Sequence, residues 1–220
     1  MIVCAVPVKD LVNAKQRLIK ALAPDERMAL ARAMLRDVLH ALSDAKLDAV
    51  WVITCDVEVS GIARALGAKV LGEPENRGHT AAVALAQEHA AKAGVHVFVT
   101  IPGDVPLVTA VEIRALAAAA QASSAVFAPS RSGLGTNGVA LAPPAVMPLE
   151  FGEPSFDNHL AAARERGVKP QVLPLPGLGL DIDSPEDLAV LAAERASTES
   201  ARLLVRWNVA ARLATTAIPR

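Results

Sequence analysis

The chain has 220 residues, a length that suits one domain of ordinary size with a core of its own. It is 52% hydrophobic but only 3% aromatic, and much of the apolar share is alanine, which favours packed helices over an all-β protein. A formal net charge of −1 excludes any electrostatic case for nucleic acid or an anionic membrane as partner.

The N-terminal run MIVCAVPVKD enters a strand pattern directly, without the basic start and cleavage site of a secretory signal. No uninterrupted apolar segment approaches the roughly 18 residues of a membrane span. A soluble, cytoplasmic protein is the expectation. Residues 2–8, 49–54 and 95–101 are short continuous apolar runs, as strands buried on both faces require. Cys4 and Cys55 both sit in apolar strand-like runs and read as small core residues, not as a disulfide or metal pair.

Helical patterns separate these strands. After Pro24, a favoured first helical residue, Met28, Ala31, Leu35, Val38 and Leu42 form one apolar stripe. A shorter helix spans 57–67 and ends at Gly67, a short strand follows at 69–71, and a third helix spans 78–93, ending at Gly94. Thr109 with Glu112 makes a capping box for a helix at 110–121. Strands are expected at 125–128 and 136–141 around the loop SRSGLGTNG, then a helix at 155–166 and a strand at 171–175. Ser184, Pro185 and Asp187 carry an N-cap, first-turn and third-position signature for a helix at 185–195. The amphipathic stretch ARLLVRWNVAARLA near the end would pack on the domain or on a second chain. The alternation predicts an α/β, doubly wound, mostly parallel sheet with helices on both faces. One domain over 1–220, with 200–220 as a C-terminal tail, is the expected organisation.

In such a sheet, ligands collect at the carboxyl ends of the strands. Lys9, Lys15 and Arg17 follow the first strand, Asp104 follows the 95–101 strand in VTIPGDVPLVT, and Asp181 and Asp183 follow a later apolar segment. Three carboxylates together suit Mg²⁺, which is commonly held by one or two carboxylates plus substrate phosphates; singly, Asp183 would cap a helix and Asp104 would satisfy turn amides. The three cations suit a triphosphate, although singly Lys15 or Arg17 reads as a solvated loop residue. Neither common glycine-rich phosphate loop is present. In FGEPSFDNHL, Gly152 allows close backbone approach and Ser155 opens a helix whose amides suit a phosphate or carboxylate, or is only its N-cap. Thr136 in GLGTNG would face the same anion or simply sit in a turn. ENRGHT precedes a helix and would read a base, with His79 equally a surface histidine. With no Ser-His-Asp or Cys-His arrangement legible, the crevice points to direct in-line transfer onto a substrate oxygen.

VPVKxLxxAKxRL at the start, PGDVPL at 102–107, GTN at 135–137, FGxxSFxxHL at 151–160 and DIDxPxDL at 181–188 resemble the guanylyltransferases of deazaflavin coenzyme (F-420) biosynthesis. The resemblance runs through about residue 190 and leaves the tail outside it. It implies a nucleotidyltransferase fold, Rossmann-like and of GT-A type, and a reaction in which a small phosphorylated three-carbon acid attacks the α-phosphorus of GTP and releases pyrophosphate. It further implies that Asp104, Asp181 and Asp183 hold Mg²⁺, that Lys9, Lys15 and Arg17 meet the triphosphate, and that Thr136, Gly152 and Ser155 hold the acid. Glu73, Asn76 and Thr80 would lie near the base, and Pro102 and Gly103 would hold the turn that aims Asp104 at the metal. The related enzymes use 2-phospho-L-lactate, phosphoenolpyruvate or 3-phospho-D-glycerate, and the motifs do not rank these. A homodimer is compatible with the family and the tail. Two other classes stand beside this reading. A molybdopterin-guanylyl or sugar-nucleotide transferase would carry a glycine-rich loop with an arginine where this chain has AVPVKD, and a non-catalytic nucleotide-binding protein would not need all three carboxylates.

Overall fold

β1 (Ile2–Pro7) is the pivot of the molecule: its alternate side chains serve two cores at once. Cys4 and Val6 enter one apolar cluster while Val3 and Ala5 enter another on the opposite face, the period-two consequence of a strand buried on both sides. In this computed structural model, which describes residues 1–194 and 197–216, seven strands form one sheet. They are β1, β2 (Ala49–Thr54), β3 (Lys69–Gly72), β4 (Val97–Thr100), β5 (Ala125–Pro129), β6 (Thr136–Leu141) and β7 (Gln171–Val172), in the order β3-β2-β1-β4-β6-β5-β7.

β1 pairs in parallel with both β2 and β4, and β3 pairs in parallel with β2. β6 runs antiparallel between β4 and β5, while β7 returns parallel to β5. The sheet is therefore mostly parallel, as the alternation predicts, with one reversed strand in its middle. The predicted strand at 171–175 shortens to two residues, because the chain leaves the sheet at a Pro/Gly-rich connection.

Helices α1 (Pro24–Ala45), α2 (Val57–Ala65) and α4 (Ala110–Ser123) cover one face. The predicted stripe on α1 places Ala31, Leu35, Val38 and Leu42 in that core, while Met28, its first member, is half-buried and outside it. Helices α3 (His79–Lys92) and α5 (Ser155–Glu165) cover the other face, through Ala82, Val83, Ala86, Leu160 and Ala163. The Thr109–Glu112 capping box forms as read: Thr109 Oγ1 accepts from the Glu112 amide, and the Glu112 carboxylate accepts from the Thr109 amide. Cys4 is buried and burial pushes its thiol up, but Cys55 is exposed, correcting its reading as a core residue. It lies just past the end of β2, where the chain has already reached the surface.

A third apolar cluster lies at one end. A single turn α6 (Pro176–Gly179) leads to Leu180 and Ile182, and α7 (Pro185–Ala193), α8 (Glu199–Arg206) and α9 (Val209–Thr216) follow. Leu180, Ile182, Leu188 and Leu191 pack with Leu18, Leu22, Leu30 and Met34 and with Ala201, Leu204 and Val209. The predicted tail is thus seated on its own chain. Asp37 of α1 accepts from the Glu199 and Ser200 amides at 2.7 and 2.9 Å, capping α8, and Arg212 reaches the Glu26 carboxylate and the Ala21 carbonyl. Residue 195 of the predicted 185–195 helix and residues 217–220 of the predicted tail lie outside the described residues. No described helix is long and apolar enough to cross a membrane.

Candidate active site

β1 and β4 are neighbours, yet the chain leaves β1 toward β2 on one side and β4 toward α4 and β5 on the other. Loops diverging from adjacent parallel strands open a crevice at their carboxyl ends. A cleft of about 500 Å³ lies there, lined among others by Lys9, Lys15, Arg17, His79, Pro102, Gly103, Asp104 and Asp183.

The loop after β1 is shaped to turn one lysine inward. Lys15 adopts a left-handed backbone conformation (φ 56°), which a non-glycine residue holds only where its surroundings enforce it. The Leu18 amide donates to the Lys15 carbonyl at 2.9 Å, and Leu11, anchored by its amide on Asp56 Oδ2 at 3.2 Å, fixes the loop's other arm. Leu11 and Leu18 are buried, while Val12, Asn13, Gln16 and Arg17 face out. Lys15 Nζ then donates to Asp104 Oδ2 and to Asp183 Oδ1, the latter at 2.9 Å, with only 8% of the lysine side chain exposed. Burial alone would depress the ammonium's pKa, but the two carboxylates outweigh it and hold it above the ordinary lysine value. By the same pairing Asp183 sits below the usual carboxylate range, against the opposing pull of its burial. Arg17 stands at the mouth, 3.8 Å from Asp183 Oδ2 and largely exposed, and Lys9 is exposed at the rim.

Asp104 is delivered by the turn read from PGDVP. A Cβ on Gly103 would stand 3.2 Å from Val8 Cγ2, so glycine lets this turn press against the exit of β1. The Ile182 amide donates to the Asp104 carbonyl at 3.2 Å, which ties the two acidic loops together. Asp104 Oδ1 is buried without a hydrogen-bond partner. A hard anionic oxygen stripped of water and left unpaired fits a divalent cation or a ligand donor.

The three predicted carboxylates do not converge as one ligand group: among the described residues no three acidic, histidine or cysteine side chains come close enough to hold one ion. Asp104 and Asp183 share Lys15, whereas Asp181 Oδ1 accepts from Asn137 Nδ2 at 2.9 Å. Burial, with Asp104 and Asp183 nearby, raises the Asp181 pKa against the opposing effect of that hydrogen bond. The D-x-D alternation does place Asp181 and Asp183 on one side with Ile182 buried between them, but Asn137 draws Asp181 back. Lys15 likewise departs from the expectation of a phosphate-facing lysine, since its ammonium is engaged by both carboxylates.

Thr136 and Ser155 meet each other, though neither lines the cleft, and Gly152 lies in the loop that leads into α5. β6 runs antiparallel, with Thr100 of β4 opposite Val139, so its first residue emerges at the edge where the parallel strands end. Ser155 is the first residue of α5 and not its cap, correcting the N-cap reading: the cap position is Pro154. Its hydroxyl accepts from the Thr136 amide at 3.0 Å and donates to Thr136 Oγ1 at 3.3 Å. Gly152 has φ 134°, a conformation that side-chain-bearing residues avoid, and this lets the loop turn into α5.

Two residues missed by sequence reasoning complete this part. Asn137 divides its amide protons among the Leu178 and Gly179 carbonyls and Asp181. His159, 2% exposed, lies within hydrogen-bonding distance of Thr136 Oγ1 and stacks on Phe127 at 5.5 Å. Both stood in quoted motifs, GTN and FGxxSFxxHL, and the available signal was a polar residue at a position the strand or helix pattern buries. His79, left open between surface and ligand, lines the cleft edge-on to Phe151. Burial lowers its pKa to about 4, with Lys9 adding to the effect and Asp104 opposing it.

The predicted base-site residues are arranged differently. None of Glu73, Asn76 and Thr80 lines the cleft. Asn76 Oδ1 accepts from the Gly78 amide, and Thr80 Oγ1 accepts from the Phe151 amide at 3.0 Å, holding the loop before α5. Glu73 is half-buried just past β3, and burial raises its pKa.

The chain matches the family described as "Guanylyl transferase CofC like" over residues 2–216. It is 41% identical over 189 residues to a phosphoenolpyruvate guanylyltransferase of Rubrobacter xylanophilus, covering 86% of this chain and 92% of that protein. To a 2-phospho-L-lactate guanylyltransferase of Methanothermobacter thermautotrophicus it is 37% identical over 202 residues, 91% and 89% of the two chains. Among solved structures, a nucleotidyl transferase of Methanothermobacter thermautotrophicus superposes with a TM-score of 0.66 at 17% identity, over 87% of this chain and 95% of that one. The 4-diphosphocytidyl-2C-methyl-D-erythritol synthase of Anaerococcus prevotii does so with a TM-score of 0.62 at 11% identity, over 86% and 95%. These likenesses place the fold among nucleotidyltransferases.

Proposed function

The chain belongs to the CofC-like guanylyltransferase family, and from that premise we propose that it transfers GMP from GTP to phosphoenolpyruvate. A phosphate oxygen of the acid attacks the α-phosphorus of GTP. The new P–O–P linkage forms as the bond from the α-phosphorus to its bridging oxygen breaks, and that oxygen leaves with pyrophosphate. No side-chain nucleophile is needed, so the protein's part is positioning and charge compensation.

The carrying observation is the Lys15–Asp104–Asp183 cluster at the crevice between β1 and β4, with its orphaned Asp104 oxygen. Asp104 and Asp183, with Asp181 behind them, would hold Mg²⁺, which when bound offsets the charge of the triphosphate. Lys9 and Arg17 bring positive charge to the open rim, and Lys15 ties Asp104 and Asp183 together across the crevice. Thr136, Ser155 and the chain around Gly152 would hold the acid beside them, and Glu73, Asn76 and Thr80 would flank the base. GTP binding, coenzyme biosynthesis, a cytoplasmic location and a homodimer belong to the same reading. Phosphoenolpyruvate is favoured over 2-phospho-L-lactate by the names of the more similar relatives. The test is pyrophosphate release with GTP and Mg²⁺, offering phosphoenolpyruvate, 2-phospho-L-lactate and 3-phospho-D-glycerate separately. Release with phosphoenolpyruvate and not with ATP in place of GTP is expected. Silence with all three acids would overturn the reading.

A further inference from the structure

We infer that His159 is a positioning residue that turns the Thr136 hydroxyl into a one-way hydrogen-bond donor for an anionic oxygen of the acid. The inference rests on the acid-site reading above. The Glu150 amide points at His159 Nε2, 3.1 Å away, and an amide can only donate. Nε2 therefore carries no proton, and in the neutral ring the proton resides on Nδ1. Nδ1 lies 3.0 Å from Thr136 Oγ1 and donates to it. Ser155 Oγ, which already accepts from the Thr136 amide, donates its own proton to the same oxygen. Thr136 Oγ1 thus receives two hydrogen bonds, and its remaining capacity is its own proton. A hydroxyl locked in that sense favours an oxygen that only accepts, as a carboxylate or phosphate does.

The surroundings hold the ring in place. Phe127 stacks on it and Phe151 meets it edge-on at 5.1 Å. Thr136, Ser155 and His159 are all buried, so the network has no bulk water to rearrange it. Burial also lowers the imidazole pKa to about 4, which keeps the ring neutral across the working range. A protonated ring would face the Glu150 amide with a second donor, and the bond would be lost.

Two substitutions separate the two ring nitrogens. Asn reaches the Nδ1 position and retains a donor toward Thr136, whereas Gln reaches the Nε2 position and retains only the acceptor for Glu150. With phosphoenolpyruvate and GTP as substrates, His159→Gln should raise the KM for the acid about tenfold, as one misaligned charge-assisted hydrogen bond implies, with the KM for GTP unchanged. His159→Asn should stay near the parent value. In a Thr136→Ala background, His159→Gln should add nothing. Equal losses in the Asn and Gln variants, or additive losses in the double variant, would overturn the inference in favour of a merely structural histidine. A Thr136→Ala variant with an unchanged KM for the acid overturns the acid-site reading and this inference together. A raised KM there with no change in His159→Gln overturns the inference alone. Nitrogen-15 NMR of the imidazoles in the unmodified protein gives a readout independent of variant folding: a neutral Nδ1–H ring at His159 is expected, and an Nε2–H ring would overturn the assignment.

Discussion

The two halves of the candidate site solve opposite electrostatic problems. At the carboxyl ends of β1 and β4 the groups are charged and clustered, and they open to solvent at the rim: Lys15 is enclosed between Asp104 and Asp183, but Arg17 is mostly exposed and Asp183 keeps 45% of its side-chain surface. At the start of β6 and α5 the groups are neutral, buried and mutually bonded: Thr136, Ser155 and His159 leave almost nothing to solvent. A site meeting a triphosphate needs mobile counter-charge that can exchange partners, because a polyanion brings several oxygens at once. A site discriminating between small acids needs donors of fixed direction, because a misdirected buried hydrogen bond is costly. Charge is supplied in the open cleft and direction in the buried network.

This contrast can be broken from the charged side first. Asp104→Asn should reduce pyrophosphate release about 10³-fold while the thermal midpoint stays close to that of the parent, since a partly exposed carboxylate is exchanged for its isostere. Activity within a few-fold of the parent would remove Asp104 from the chemistry. Next comes the support beneath the rim. Leu204 of α8 is 1% exposed in the same cluster as Leu18 and Ile182, which anchor the loops bearing Lys15 and Asp183. Leu204→Ala should cost about 3 kcal/mol of stability in chemical denaturation and raise the KM for GTP more than that for the acid. An equal change in both would deny that the tail supports the charged half selectively.

Both halves are probed by pH, through His79 in the lining of the cleft and His159 in the buried network. His79 and His159 both have folded pKa values lowered to about 4, against an ordinary value of 6.5. The unfolded chain therefore binds more protons between those values, so the stability is present above pH 6.5 and lost as pH falls toward 4. Each histidine contributes up to about 1.4 kcal/mol per pH unit within that window. Denaturation midpoints measured at pH 7, 6 and 5 should fall in steps, and His159→Asn should flatten the slope; a slope unchanged by that substitution would show that the folded ring is already protonated. The smallest effect is expected from Arg212→Ala, whose side chain is 40% exposed where it meets Glu26. A loss of about 0.5 kcal/mol is expected, and a larger loss with reduced GTP affinity would make the tail's latch part of the charged half.

How much of this was legible in the chain follows the range of the interactions. The buried runs that became β1, β2 and β4, the stripe on α1 and the capping box at Thr109 and Glu112 rest on residues at most a few positions apart. Local spacing encodes them, and they were readable, as was the crevice to which Lys9 and Asp104 would lead. The insertion of β6 between β4 and β5 was not, because a six-residue strand carries no mark of its direction. Yet that reversal brings Thr136 to the working edge. The loop lysine was visible, but its partners stand 89 and 168 residues away. Cys55 was misread because one residue beyond a buried strand suffices to reach the surface.

The sequence by itself therefore determined the class of fold, the strand ends at which chemistry would collect and the residue types available for it, since periodicity and caps are short-range effects. The tertiary structure decided which of those residues meet. It gave Lys15 to Asp104 and Asp183, set Asp181 aside on Asn137 and enclosed His159 against Thr136. Partner choice among charges and buried donors depends on who is nearest once water is gone, and only the assembled sheet and its covering helices set that distance.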